Sequence, residues 1–275
     1  MWSIKNENYR LIFLICLNVF FSVFLYNIAN HMKKALAYVL TSIYYLVFGL
    51  LLAVFHPIQM IGWKFWGYPG QKRAVDILNH LIIKSLIILG SIPKFRGFDK
   101  LPIGKPLIIV SNHQSQYDIP PIVVGFRKHF PKFISKIELG KGIPSISYNL
   151  RKGGSALIDR KNRSQSIKEI IKLGRHIEKN NYSASIFPEG TRSKNGLVKK
   201  FKVGGIETLL KTAPSAVVVP FAIKGNDRLQ LTGFPMGVGE KLVYTVLDPV
   251  DRENRTAEEI SDLCEQAIKK ELGQL

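Results

Sequence analysis

The segment Ser111-Asn112-His113-Gln114-Ser115-Gln116-Tyr117-Asp118 sets an imidazole and a carboxylate five positions apart. On a continuous helix, side chains at that spacing point about 140° away from each other and cannot meet. An apolar run at 107–110 precedes the segment as a strand, and Pro120-Pro121 follow it, which only the first turn of a helix accepts. A strand-turn-helix junction lets Asp118 sit at the helix start and accept an N–H of His113, leaving the other ring nitrogen as a general base. Taken alone, the pair also suits a satisfied structural histidine. Two further segments favour chemistry. Phe187-Pro188-Glu189-Gly190-Thr191-Arg192-Ser193 closes a strand with a glycine turn carrying a carboxylate and a guanidinium, and the planar fork of Arg192 suits a phosphate. Gly153-Gly154-Ser155-Ala156-Leu157-Ile158-Asp159-Arg160 is a second strand ending in Arg, with glycines that permit close backbone approach.

These loops need a scaffold. Short β-branched or apolar runs predict strands at 107–110, 132–135, 156–158, 183–187, 217–223 and 242–247. Ser164 is the expected cap of a helix whose Ile167, Ile170, Ile171 and Ile177 share a face, and Thr256 with Glu259 forms a capping box before Ile260, Leu263, Ala267 and Ile268. Alternating strands and helices predict an α/β fold, a mixed sheet flanked by helices. Ahead of it, at 74–89, Asp76, His80 and Lys84 recur every fourth residue among apolar neighbours, which predicts an amphipathic helix with those three on a solvated stripe.

Hydrophobic residues make up 46% of the 275, no more than a globular domain uses, but they are unevenly placed. The runs 11–29 and 35–55 carry no charged side chain, and each approaches the roughly 20 residues that cross a bilayer core as a helix. Asn30, His31, Met32, Lys33 and Lys34 separate them, so an N-terminal hydrophobic helical hairpin with its turn there is expected as a membrane anchor. The first run ends at Asn27-Ile28-Ala29 without a small-x-small cleavage site, which argues against a removed signal. Trp63, Lys64, Phe65, Trp66 and Tyr68 then supply the aromatic and cationic mixture of headgroup depth, core packing of the rings being the alternative. The expected organisation is an anchoring segment, 1–70, and an α/β domain, 71–275.

The formal net charge of +19 calls for an anionic partner. A basic domain joined to a hydrophobic anchor points to the anionic surface of a membrane rather than to nucleic acid. From 127 to 202 there are 19 Lys or Arg against five Asp or Glu, so this stretch is the basic half of the domain. Cys16 and Cys264 are the only cysteines, which suggests neither a disulfide framework nor a cysteine-rich metal site and suits a reducing setting. The histidines show no metal-ligand spacing, and no Gly-x-Ser-x-Gly, Walker or Gly-x-Gly-x-x-Gly string is present.

In combination, Asn-His-x-x-x-x-Asp at 112–118, the Gly-Gly to Asp-Arg segment at 153–160, Phe-Pro-Glu-Gly-Thr-Arg-Ser at 187–193 and Val219-Pro220-Phe221-Ala222-Ile223 resemble the four ordered motifs of the glycerolipid acyltransferases, most of all the bacterial 1-acylglycerol-3-phosphate acyltransferases. Phe201-Lys202-Val203-Gly204 stands where that family has Phe-Lys-x-Gly, and the hydrophobic N-terminus is similar to its membrane anchor. The resemblance implies that His113 takes the proton of the acceptor hydroxyl as it attacks a thioester, while Asp118 orients His113. It implies that Arg160 and Arg192 hold phosphate, that Glu189, Gly190 and Thr191 form the glycerol-phosphate loop, and that Lys136, ahead of Glu138-Leu139, is a further phosphate ligand. Leu157 departs from the pattern, which commonly has Phe two residues before its Asp-Arg. The implied reaction moves a fatty acyl group from acyl-CoA or acyl carrier protein to the sn-2 hydroxyl of lysophosphatidic acid, forming phosphatidic acid, with no bound cofactor. The implied place is the bacterial inner membrane, with the catalytic domain facing the cytoplasm. Acylation of glycerol 3-phosphate or of another lysophospholipid is the alternative, and a non-catalytic basic lipid-binding module is the rival from another class.

Overall fold

The computed structural model describes the backbone of residues 2–193, 195–230 and 233–275 and, within these, the side chains from Asn18 onward apart from Val19, Phe20, Val23, Ile28 and Ala29. The side chains of residues 1–17, which include Cys16 and the start of the run 11–29, lie outside the described set. Seven strands, β1 (Lys94–Arg96), β2 (Leu107–Ser111), β3 (Pro131–Lys136), β4 (Ala156–Ile158), β5 (Ser183–Ile186), β6 (Val217–Lys224) and β7 (Val243–Val246), form one sheet in the order β1-β7-β6-β2-β5-β3-β4. The helices are α1 (Trp2–Ser85), α2 (Ile119–Gly125), α3 (Ile146–Lys152), α4 (Arg163–Asn180), α5 (Val203–Thr212), α6 (Asn226–Leu229) and α7 (Ala257–Leu272). All neighbouring strands run parallel except β6 and β7, which are antiparallel, so the sheet is mixed as expected.

The central strands read as unbroken apolar runs because both of their faces are covered. Leu107 and Ile109 of β2, with Val219, Phe221 and Ile223 of β6, pack under Val75 and Ile83 of α1 and Ile122 of α2. Ile108, Val110, Val218 and Ala222 face the other way, onto Ile170 and Leu173 of α4, Leu209 of α5 and Ile260 and Ile268 of α7. α7 begins at the expected Thr256–Glu259 capping box, with Glu259 N–H donating to Thr256 Oγ1 at 3.2 Å and Thr256 N–H to Glu259 Oε2 at 2.7 Å. α4 starts earlier than expected, because the side chain of Asn162 rather than Ser164 accepts the orphan N–H of Gln165 at 3.0 Å. β1 was not foreseen, since three exposed residues with charges at both ends show no apolar pattern.

The runs 11–29 and 35–55 are not the two arms of a hairpin as expected, and no turn lies at 30–34. Helix α1 continues straight through those residues, which include neither Gly nor Pro and leave the backbone no reason to break. The reversal comes at Gly67 (φ 62°, ψ −146°), a conformation suited to glycine, with Pro69 just beyond. Leu52 and Phe55 of the first arm pack on Ala74, Leu78 and Ile82 of the second. At the tip the arms touch through glycine backbones, for a Cβ on Gly62 would come within 2.9 Å of the Gly70 carbonyl carbon. Tyr44 shares a buried cluster with Leu107 and Phe221, so the first arm is built into the domain's core. Its outward face carries Val39, Ile43, Leu46, Leu50, Val54, Ile58, Ile61 and Phe65, a stripe at helical spacing exposed along its whole length. By length and composition, the helix contains a stretch able to cross a membrane within Phe24–Leu89.

Where the second arm meets the sheet, Asp76 departs from the solvated stripe expected for it. It is half-buried and ion-paired with Lys72, facing Lys132 of β3. Lys132 is 2% exposed. Its ammonium meets the Tyr68 hydroxyl and lies 4.0 Å and 4.8 Å from the ring centres of Tyr68 and Tyr182. Burial, aided by Lys72 and opposed by Asp76, pushes this lysine from its ordinary 10.5 down to about 7, and burial, aided by the same ammonium, holds His176 below its usual value. Between those two values the unfolded chain binds more protons than the folded one, so stability rises with pH from about 7 to 10.5, and the burden is full below 7. Lys132→Met is expected to raise stability at neutral pH by on the order of 2 kcal/mol, after the rings' attraction for the charged form is discounted. Denaturant titrations at neutral and alkaline pH check this; a variant with the wild-type pH slope would refute it.

Candidate active site

In a parallel sheet the carboxyl ends of the strands share one edge, and the loops leaving that edge meet. His113 follows the carboxyl end of β2, Lys136 closes β3, Arg160 lies two residues beyond β4, Glu189 to Arg192 leave β5, and Asn226 follows β6. Topology alone therefore brings the expected site residues to one side of the molecule. The register reinforces this, with Lys136 opposite Ile158 on β4.

The junction after β2 is set by its own side chains. Ser115 caps the short turn Gln116–Asp118, its Oγ accepting the N–H of Tyr117 at 3.0 Å, and the Asp118 carboxylate reaches back to the N–H of Ser115 at 2.9 Å. Pro120 and Pro121 then start α2, where their missing N–H groups cost nothing. This capping arrangement turns the chain so that His113 Nδ1 donates to Asp118 Oδ2 at 2.7 Å, while Gln114 N–H donates to the same oxygen at 2.7 Å. Asp118 has no exposed surface, and a buried carboxylate with this many donors is fixed in direction. As an acceptor only, it obliges Nδ1 to carry the proton. The imidazole stacks on Phe187 at 4.3 Å with 21° between the planes, which fixes the second rotation of the ring. Its side chain is 16% exposed, and Nε2 is engaged by none of the described residues.

The β5 loop is tied to His113 through main chain. Ser193 N–H donates to the His113 carbonyl at 2.8 Å, and His113 N–H donates to Glu189 Oε1 at 2.8 Å. Glu189 is 3% exposed, and its second oxygen takes the N–H of Lys199 at 3.2 Å. Burial raises this carboxyl above its usual range, with the two N–H groups opposing. In this structure Glu189 clamps three loop segments together. Gly190 turns with φ 73°, and a Cβ there would stand 3.3 Å from Lys202 Nζ, so glycine serves both the turn and the close approach of that lysine. Lys199 Nζ holds Thr191 Oγ1 at 3.1 Å and the Arg192 carbonyl at 2.7 Å. Thr191, Arg192, Lys136 and Arg160 are exposed. The guanidinium of Arg160 is held below its ordinary value by partial burial and by the positive charge of Arg192, with Glu138 opposing. Two like charges are thus held within electrostatic range on the side that carries His113, an arrangement that favours an anion between them.

Several contributors escaped the sequence reading. Asn226, on the turn after β6, donates Nδ2–H to Asp118 Oδ1 at 2.8 Å across 108 positions of sequence. Gln114 Oε1 accepts the N–H of Asn226 at 3.1 Å, and Asn112 exchanges two hydrogen bonds with the main chain of Ile223, at 2.8 and 2.9 Å. An Asn after a Gly reads only as a loop, so no local signal announced Asn226. Phe187 was visible only as part of a string, and Lys199 lies between two of them.

The chain is similar to proteins of known class. The Acyltransferase family model matches residues 92–224. A 1-acyl-sn-glycerol-3-phosphate acyltransferase of Haemophilus influenzae is 26% identical over 175 residues, covering 61% of this chain and 69% of that one. An uncharacterized acyltransferase of Schizosaccharomyces pombe, C1851.02, is 31% identical over 203 residues, covering 73% of this chain and 71% of its own. The crystal structure of the 1-acyl-sn-glycerophosphate acyltransferase PlsC from Thermotoga maritima superposes with a TM-score of 0.71 at 24% identity, over 89% of this chain and 96% of that one, which establishes a shared fold.

Proposed function

Because this chain belongs to the glycerolipid acyltransferase family, we propose that it transfers a fatty acyl group from acyl-CoA or acyl carrier protein to the sn-2 hydroxyl of 1-acyl-sn-glycerol 3-phosphate, yielding phosphatidic acid. The observation that carries this reading is the coincidence, on one sheet edge, of an oriented imidazole whose Nε2 is engaged by none of the described residues and two mutually repelling guanidiniums. The first is what an alcohol nucleophile needs, and the second is what a phosphomonoester relieves. In the reaction, Nε2 takes the hydroxyl proton as the oxygen attacks the thioester carbonyl. The tetrahedral intermediate then expels the thiolate, which receives that proton, so the imidazole ends as it began. Lys136, Arg160 and Arg192 hold the phosphate, and the loop at Glu189, Gly190 and Thr191 shapes the ground on which the glycerol lies.

The exposed stripe of α1 gives the enzyme its place. We assign that stripe to lipid, with Lys64, Phe65 and Trp66 at the exposed tip in the headgroup layer and the basic half of the domain against anionic lipid. The active-site edge then takes an acceptor that is itself a membrane component, from the cytoplasmic side.

Purified protein in detergent, offered lysophosphatidic acid, glycerol 3-phosphate and a lysolipid with an esterified phosphate, tests the acceptor, each with both donors. Preference for lysophosphatidic acid is expected; equal rates with the esterified headgroup would overturn the assignment. Arg192→Ala is expected to raise the KM for lysophosphatidic acid by about tenfold to a hundredfold, the worth of one charge-assisted contact, with a smaller change in kcat. The reverse pattern would remove Arg192 from acceptor binding.

A further inference from the structure

We propose that Asn226 is a positioning residue for the transfer step, acting through Asp118 on His113, and that Tyr244 sets the amide's direction. The inference rests on the acyl-transfer reading of His113 for its kinetic consequence, though not for its geometry.

Asp118 is wholly buried, and its two oxygens do different work. Oδ2 collects His113 Nδ1 and the N–H groups of Gln114 and Ser115, all from its own loop, at 2.7, 2.7 and 2.9 Å. Oδ1 takes a hydrogen bond from a distant element, Asn226 Nδ2 at 2.8 Å, besides a long 3.5 Å contact from Ser115 Oγ. Without the amide, Oδ1 would lose its one short donor, and the carboxylate plane could turn about its Cβ–Cγ bond and swing Oδ2 off the imidazole. Asn226 is 0% exposed, so water cannot take its place without a cavity.

The direction of the amide follows from chemistry. An ionised carboxylate accepts only, so the end of Asn226 facing it must be the NH2. That leaves Oδ1 of Asn226 to accept the Tyr244 hydroxyl hydrogen at 2.9 Å. The relay Tyr244 to Asn226 to Asp118 to His113 thus has every proton assigned, each donor pointing towards the carboxylate. Burial and the Asp118 charge hold the Tyr244 phenol above its ordinary range, so it remains a donor. The Asn226 main chain is pinned in return, through its N–H to Gln114 Oε1 at 3.1 Å, two residues before the turn that carries Asp118. The β2 and β6 loops are therefore clamped reciprocally, by one side chain from each.

The test uses the full chain in detergent, with three variants and two readouts. Asn226→Leu keeps the volume and removes the donor; Tyr244→Phe removes only the hydroxyl, leaving its ring packed against Phe95 at 5.2 Å. Asn226→Asp keeps the shape and donates only while the new carboxyl is protonated. Expected are a fall in kcat of roughly 10- to 100-fold for Asn226→Leu, the range lost when a partner that orients a reacting group is removed, an unchanged KM, and a smaller fall for Tyr244→Phe. For Asn226→Asp, the ratio of kcat to wild type should decline as pH rises. A purely architectural Asn226 would give a pH-independent ratio instead, and would overturn the proposal, as would Asn226→Leu within twofold of wild type. The second readout is the Nδ1 proton resonance of His113 in 15N-histidine-labelled protein, which needs no turnover. It should move in Asn226→Leu, and an unmoved resonance sinks the inference even if acyl transfer is confirmed. A moved resonance in a protein that transfers no acyl group would instead fault the functional reading and leave the relay standing.

Discussion

His113→Ala is expected to reduce acyl transfer by about 10³-fold or more while the protein stays folded and still binds anionic lipid. General-base assistance is worth roughly 10² to 10⁴ in rate, and His113 Nε2 is the base in the reaction we propose. The fold should survive for a specific reason. Once the ring is gone, the buried Asp118 keeps Gln114 N–H, Ser115 N–H and Asn226 Nδ2–H at 2.7, 2.9 and 2.8 Å, so no charge is left without donors. The stacking contact with Phe187 is the main packing loss, on a side chain already in partial contact with solvent. Residual transfer would come from positioning and from stabilisation of the oxyanion. Steady-state rates with lysophosphatidic acid, alongside vesicle flotation, check both halves. Transfer within tenfold of wild type would remove His113 from the chemistry and favour a basic lipid-binding module.

Asp118→Asn should cost as much in rate and more in stability. An amide offers a single acceptor oxygen where the carboxylate offered two, yet the surrounding donors are unchanged. With its oxygen turned to His113, its NH2 faces Asn226 Nδ2–H; with its NH2 turned to His113, it opposes three N–H groups at once. The second arrangement also drives the proton to Nε2, the tautomer that cannot act as a base. Enforcing the wrong tautomer in serine-protease triads lowers kcat by about 10⁴, and a buried unsatisfied donor costs about 1–3 kcal/mol. The two variants therefore separate in a thermal melt: His113→Ala near wild type, Asp118→Asn clearly lower. A wild-type melt together with a loss of less than tenfold would mean that the carboxylate neither orients the imidazole nor holds the loop.

Much of this protein is written locally. Strand runs at 107–110 and 183–187 are legible because a strand covered on both faces must be apolar throughout, and the capping box at Thr256 because its partners lie three residues apart. The approach of His113 to Asp118 belongs here too: a capped turn and two prolines bring the two side chains within reach of each other, although the carboxylate's direction is also held from afar by Asn226. The placement of Lys136, Arg160 and Arg192 on the same sheet edge as His113 follows almost as directly, since residues after parallel strands share an edge.

Other features required the packed molecule. The expected hairpin of the runs 11–29 and 35–55 does not form, because a break in hydropathy does not break a helix; the chain reverses at Gly67, which tolerates a positive φ, and the glycines at 62 and 70 let the arms on either side touch. Glu189 reads as a ligand-facing carboxylate from its motif, yet the tertiary structure turns it inward onto the main chain of His113 and Lys199. Lys132 sits in an unremarkable strand sequence and becomes a strained buried ammonium only when α1 and Tyr182 close over it. The hold of Asn226 on Asp118 spans more than a hundred residues and depends on which strands lie side by side. The sequence alone determined which groups could react and how the nearest ones meet, because those contacts are set by turns and caps a few residues long. Which distant groups orient them, and which charges are taken from water, depends on contacts between strands and helices far apart in the chain, and these have no local pattern to betray them.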